Sequence, residues 1–253
     1  MKKYLLLIAL SDLQMFGNCA LARTPAEYLT DVKDYTLAPL RWDAADWRWA
    51  GGAVVSIAAA YSLDLSVRDH LAPAGTATQS NPDRTRDNVP LAALVVGTFA
   101  MGAFRRDKQI TNTGWDMGEA ALLGSLSSLA FKTIVGRQRP YETASRSRFG
   151  QGSDSFPSGH TTAVFAAAQV FADEMPRGQW GWRVLAYGLA GATAYARMDS
   201  NAHWLSDTVA GAALGIATGR FISGRSQGSQ SKLALWVAPL DRGALVSFAV
   251  DTN

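Results

Sequence analysis

This 253-residue chain is poor in the side chains that most enzymes use. It has one cysteine, Cys19, and three histidines, His70, His160 and His203. A single cysteine excludes a disulfide framework and any cysteine-rich metal site. Charged residues make up only 18%, and the net charge is +3. The pI near 9.1 is weakly basic, but no Lys/Arg run exceeds two residues, which argues against a nucleic-acid partner. Long apolar runs are missing too: stretches uninterrupted by charge cover 49–63, 88–104, 120–131, 161–172, 184–196 and 208–219, each of 12 to 17 residues. A bilayer span wants about 20. What is present is 48% hydrophobic residues, too many for a disordered chain and enough for a sizeable core.

The apolar stretches are rich in Ala and Gly and are separated by polar turns, so they read as helices in close contact. The expected fold is all-α, a compact bundle of about six core helices over 49–222, with a short β-hairpin over 233–253 suggested by two alternating stretches around Pro239–Gly243. Their lengths favour the core helices of an exported globular protein over a polytopic membrane protein. Lys2 and Lys3, the apolar Tyr4–Leu10 and the Ala20-Leu21-Ala22 site read as a signal peptide over 1–22, cleaved after Ala22 and taking Cys19 with it. The competing reading, suggested by Asp12, is an uncleaved membrane-proximal anchor. Export would place the protein in a bacterial periplasm or envelope, and the alternative is an integral inner-membrane protein. Residues 23–48 form a lead-in in which Arg41-Trp42 and Trp47-Arg48-Trp49 suit either a membrane interface or a capping helix, the second being the commoner use. SGRSQGSQSK at 223–232 has the composition of a linker.

Three segments carry the chemistry. In Lys132-x6-Arg139-Pro140 the two cations stand two helical turns apart and can grip phosphoryl oxygens, with Pro140 ending the helix. In Pro157-Ser158-Gly159-His160 a turn opens a helix, where backbone N–H groups attract anions and Gly159 allows close approach. The plain alternative is ordinary capping. In Arg197-x5-His203-x3-Asp207, His203 and Asp207 are four apart, so on a helix the carboxylate can orient the imidazole and leave its other nitrogen as nucleophile. An ordinary helical His–Asp pair would show the same spacing.

Together the segments, in this order and with 16 and 36 residues between them, resemble the signature of the type 2 phosphatidic acid phosphatase superfamily. One departure is Ala196, where that family has serine. The resemblance implies a metal-independent phosphatase needing no cofactor. It would hydrolyse phosphate monoesters or diphosphates, lipid-linked ones such as phosphatidate or a prenyl diphosphate above all. It also implies roles: His203 as nucleophile forming a phosphohistidine, Asp207 orienting it, His160 protonating the leaving oxygen, and Lys132, Arg139, Ser158, Gly159 and Arg197 binding phosphate. Vanadium haloperoxidases resemble the same pocket but commonly carry another histidine shortly after the His160 position, and none is here. A non-catalytic phosphate- or headgroup-binding relative is disfavoured because every catalytic side chain is present. His70 is left with a surface role, and a membrane surface is the macromolecular partner considered.

Overall fold

The computed structural model describes residues 25–71, 84–175, 178–228, 233–240 and 243–250. The signal-peptide reading, Cys19 and residues 229–232 of the expected linker lie outside them. The order is α1 (Pro25–Leu37), a 3-10 turn (Ala38–Arg41), α2 (Ala44–Leu71), α3 (Arg84–Arg105), α4 (Lys108–Val135), α5 (Gly159–Glu174), α6 (Trp180–Asp199), α7 (Leu205–Gly228), β1 (Leu233–Leu240) and β2 (Gly243–Val250). The class is all-α. Each apolar stretch is the middle of one of the helices α2 to α7, whose ends run on into polar sequence because helix termini need solvent or caps more than apolar contacts. Two expectations change. The lead-in is not one segment, since its last residues already belong to α2. The linker composition also misled: Ser223–Gly228 continue α7, because packing along a helix outweighs the weak propensities of Ser and Gly.

Of the described residues, those within 34–228 form one compact unit, and 25–33 with β1 and β2 belong to another. In the second, β1 and β2 pair antiparallel, Leu233 opposite Val250 through Leu240 opposite Gly243.

In the first unit α5 is the central helix. From Thr161 to Ala172 every residue but Phe165 is buried, and α5 packs on α4, α6 and α7. Its alanines permit this, as do Gly215 and Gly219 of α7. A Cβ on Gly215 would lie 2.4 Å from the Thr162 carbonyl oxygen, and one on Gly219 2.6 Å from that of Ala166. No side chain fits, so these glycines set the α5–α7 spacing. Around them Met117, Leu123, Val164, Val170, Phe171 and Ile222 fill the core; each such side chain contributes roughly 1.5–3 kcal/mol. The end of α1 docks on α7, where the Tyr35 hydroxyl meets Thr218 Oγ1 at 2.7 Å and the ring lies edge-on to Phe221. Among the described residues, α2 is the one helix long and apolar enough to cross a membrane. Its Val54 and Val55 are exposed, and its buried residues are Ala60 and Asp64.

Candidate functional site

Helix α4 starts at the Asp107 cap, whose carboxylate accepts the N–H groups of Gln109 and Ile110, and it stops earlier than Pro140 would dictate. Gly136 ends it in the left-handed region, φ 55°, where a side chain would be strained. A Cβ there would also approach the Gly152 nitrogen at 3.1 Å. Arg139 therefore lies beyond the helix, in a loop, and the expectation that Lys132 and Arg139 share a helical face is corrected. They meet by another route. Lys132 Nζ donates to the backbone carbonyl of Asp154, and Arg139 Nε donates to the Asp154 carboxylate at 2.7 Å. Ser153 and Asp154 also line an open polar cavity of about 480 Å³ with Gln138, Glu142, Gln151 and Gly152.

Ser158 caps α5 and Gly159 begins it. The Gly159 Cα faces α4 closely enough that a Cβ would meet Ser128 Oγ at 3.4 Å and Lys132 Cε at 3.8 Å, so the N–H groups at this helix start and the Lys132 ammonium converge. The Ser158 hydroxyl accepts from Thr161 Oγ1 at 2.9 Å, which leaves its own proton to donate elsewhere. His160, one residue into the helix, is half-buried. Arg197 is buried in the last turn of α6, and its carbonyl accepts the N–H groups of Ala202 and His203. His70 is exposed.

The His203–Asp207 relation also differs from its expected form. His203 precedes α7, so the two do not share a helical face. Asp207 sits in the first helical turn and reaches back to accept the Trp204 N–H at 2.9 Å, as an acidic residue in the third helical position does. His203 Nδ1 lies 2.8 Å from the Ser155 carbonyl and 3.7 Å from Asp207 Oδ2. A carbonyl can only accept, so Nδ1 carries the hydrogen and Nε2 keeps its lone pair. The backbone sets the tautomer, and the carboxylate supplies charge beside it. Ser155 serves both ends, since its hydroxyl donates to Asp207 Oδ2 at 2.5 Å.

Five residues outside the motif reading complete the site: Asp64, Arg137, Ser155, Trp204 and Ser206. Arg137 donates Nη1 to Asp207 Oδ1 at 2.6 Å and to Ser206 Oγ at 2.8 Å, and Nη2 to Asp64 Oδ2 at 2.7 Å. Nε and Nη2 also donate to the Arg146 carbonyl. All five guanidinium donor directions are thus used. The Tyr61, Phe149 and Trp204 rings lie 5.0–5.4 Å from its carbon. A second arginine two residues before Arg139, and the charge that closes the apolar run 49–63, were the sequence signals for Arg137 and Asp64. Nothing local marked Ser155 or Ser206.

Electrostatics separates these groups. Burial, above all, pushes the His203 imidazole down to about 3; Arg139 and Lys132 add to this, and Asp207 opposes it. Burial works to raise the Asp207 carboxyl, but the interaction with the neighbouring His203 imidazole and the Arg137 charge bring it below its ordinary value. Lys132 falls to about 8, chiefly by burial, with Asp154 resisting and Arg139 assisting. The Arg139 hydrogen bond holds Asp154 at about 2. At neutral pH the site therefore holds a neutral imidazole beside a carboxylate, facing two cations. That arrangement can attack an anionic electrophile and hold it during the attack.

Residues 113–229 match the model of the PAP2 superfamily, and every motif residue from Lys132 to Asp207 falls inside that span. Over 100 residues the chain is 40% identical to the lipid A 1-phosphatase of Porphyromonas gingivalis, covering 39% of this chain and 20% of that protein. The match thus spans about a fifth of that relative's length. Two solved structures are similar. LpxE of Aquifex aeolicus aligns over 63% of this chain and 94% of its own, at 19% identity and a TM-score of 0.40. The transmembrane PAP2 type phosphatidylglycerolphosphate phosphatase of Bacillus subtilis aligns over 81% and 88%, at 16% and 0.41. The three signature segments lie inside the matched span and gather around His203, so it is this part of the chain, residues 113–229, that is similar to the PAP2 superfamily.

Proposed function

We propose that this chain is a metal-independent phosphatase that hydrolyses phosphate monoesters or diphosphates on lipid-linked substrates through a phosphohistidine at His203. The observation that carries the reading is the His203 ring, whose Nδ1 hydrogen is engaged by the Ser155 carbonyl while the electric fields of Lys132 and Arg139 reach it. Nε2 attacks phosphorus as the bond to the leaving oxygen breaks, and His160 gives that oxygen its proton. The developing imidazolium is stabilised by Asp207. In the second step water attacks the phosphohistidine, His160 takes a proton from it, and Nε2 leaves, so both histidines return to their starting states. Lys132, Arg139, Arg197, the Ser158 hydroxyl and the Gly159 N–H hold the phosphoryl oxygens and counter their charge. No step calls for a metal or an organic cofactor.

A lipid-linked substrate is supported by the name of the P. gingivalis relative and by the apolar side chains around the cationic end of α4. Phe131 and Ile134 flank Lys132 and are exposed, Ile134 by 78%, with Leu126 and Leu129 on the same helix. Such a surface admits an acyl or prenyl chain while the headgroup reaches Lys132. We place the protein in the bacterial envelope, exported by its N-terminal signal and working at a membrane surface; α2 also permits integration.

The test is phosphate release by purified protein from phosphatidate, phosphatidylglycerophosphate, a prenyl diphosphate, lipid A and a soluble ester, with and without EDTA. Lipid-linked substrates are expected to turn over fastest, without loss to EDTA, and His203→Ala is expected to abolish release. Near-wild-type hydrolysis by His203→Ala would overturn the mechanism. Bromination of a dye in the presence of vanadate, without phosphate release, would move the assignment to a haloperoxidase; neither activity would indicate a binding protein.

A further inference from the structure

Helix α2 lies outside the span that matches the family model, yet it delivers a carboxylate to the centre of the site. Asp64 has a fully buried side chain and takes three hydrogen bonds: Arg137 Nη2 at 2.7 Å, the Ser206 hydroxyl at 2.7 Å and the Ser206 backbone N–H at 2.8 Å. If its role were only to seat α2, an apolar residue would pack there without desolvating a charge.

We infer that Asp64 is a positioning residue for His203, acting through Arg137 and Ser206 on Asp207. This rests on the phosphatase reading for its kinetic consequence but not for its geometry. Arg137 faces two carboxylates at 2.6 and 2.7 Å. Alone with Asp207 it would cancel that carboxylate's charge in a dry setting, where cancellation is most complete. With Asp64 present the trio keeps one net negative charge, and Asp207 presents it to the imidazole. Asp64 also fixes the place of the guanidinium. It holds Nη2 and Ser206 Oγ, and Ser206 Oγ in turn accepts from Nη1, the group that binds Asp207 Oδ1. Because Asp64 accepts the Ser206 N–H as well, it pins the first turn of α7, from which Asp207 projects. Other charged groups near His203 include Lys132 on α4, Arg139 and Asp154 on the loop that follows it, Arg197 at the end of α6, and Arg68 on α2, which lies with its guanidinium 5.5 Å from the Trp204 ring. None of these contacts Asp207 through Arg137.

The experiment is a double-mutant cycle on the full-length chain, with Asp64→Asn, Arg137→Gln and their combination, and Ser206→Ala as the milder variant should Asp64→Asn fold poorly. With the best substrate of the panel, Asp64→Asn is expected to lower kcat by roughly ten- to a hundredfold while KM stays within about twofold. Ser206→Ala is expected to lower kcat several-fold. In the Arg137→Gln background either change should add less than about twofold, because the route is already cut. Nitrogen NMR of the labelled His203 ring at pH 7 supplies a readout free of turnover: the Nδ1–H tautomer that the Ser155 carbonyl sets is kept in every variant, while the Nδ1 and Nε2 shifts move in Asp64→Asn and Ser206→Ala and move no further when either is combined with Arg137→Gln. Full multiplicative losses, unchanged kcat, or unchanged ring shifts would overturn the inference. If the wild type releases phosphate from nothing in the panel, the phosphatase reading fails, and the ring shifts still decide the role of Asp64.

Discussion

Arg137 and Arg139 stand two residues apart on one loop and do opposite things. Arg137 is 1% exposed, its five donor directions are filled, and two buried carboxylates face it. Arg139 is 12% exposed and pairs with a carboxylate, Asp154, that is itself 62% exposed. A cation neutralised twice in a dry interior has nothing left for a ligand. One whose partner stands in water can exchange it for a phosphate. Charge alone therefore does not mark a phosphate-binding residue; the replaceability of its present partner does.

The largest expected effect contrasts the two arginines directly. Arg137→Ala leaves two buried carboxylates without their cation and should cost about 3–5 kcal/mol, read as a lower midpoint in urea unfolding, with turnover reduced alongside. Arg139→Ala should stay within about 1 kcal/mol of wild type while kcat/KM for phosphate release drops by two orders of magnitude or so. Equal stability losses would break the contrast.

The pH dependence should divide in the same way. His203 titrates near 3 in the folded protein and Lys132 near 8, so kcat/KM should lose nothing to protonation of His203 down to about pH 4. It should fall above pH 8, as the protein loses the Lys132 ammonium that is proposed to meet the phosphate. The same buried histidine affects stability. Its folded value lies below its unfolded one, so the unfolded chain binds the extra proton, and stability should decline as pH drops from about 6.5 toward 3. A His203→Gln variant should show a shallower decline in its melting temperature over that window. A wild-type acid limb near pH 6.5, with activity rising as a group there loses its proton, would mean that the His203 imidazole is not buried as described.

The smallest effect belongs to Asp154. Asp154→Asn removes an exposed negative charge that competes for Arg139 and Lys132. Vanadate or phosphate should then bind several-fold more tightly by calorimetry, and more so at low salt, with stability little changed. Weaker binding would show that Asp154 orders the rim rather than competing for it.

How much of this could be read in advance varies with the kind of interaction. The three motif segments and the six helical stretches lie along the chain as local patterns, and they appear where periodicity and composition suggested. The helix ends were less legible. Lys132 and Arg139 have the spacing of a shared helical face, yet Gly136 closes α4 between them, because a left-handed cap held by the 150–152 loop outweighs the distant signal of Pro140. His203 and Asp207 have helical spacing too, yet the first lies before α7 and finds its nearest partner in the Ser155 carbonyl, 48 residues away in sequence. The linker composition at 223–228 was overridden by helix continuation.

By itself the sequence determined which chemical groups exist: two motif histidines, a basic set spaced for phosphate, a carboxylate four residues beyond the nucleophile candidate, and small residues that let helices approach closely. Those follow from residue type and local period. The tertiary structure alone decided which arginine is spent inside the protein, which backbone carbonyl sets the His203 tautomer, and that a carboxylate from α2 reaches Arg137 across 73 residues. These are contacts between segments far apart in the chain, and burial gives them their strength by removing the water that would otherwise screen them.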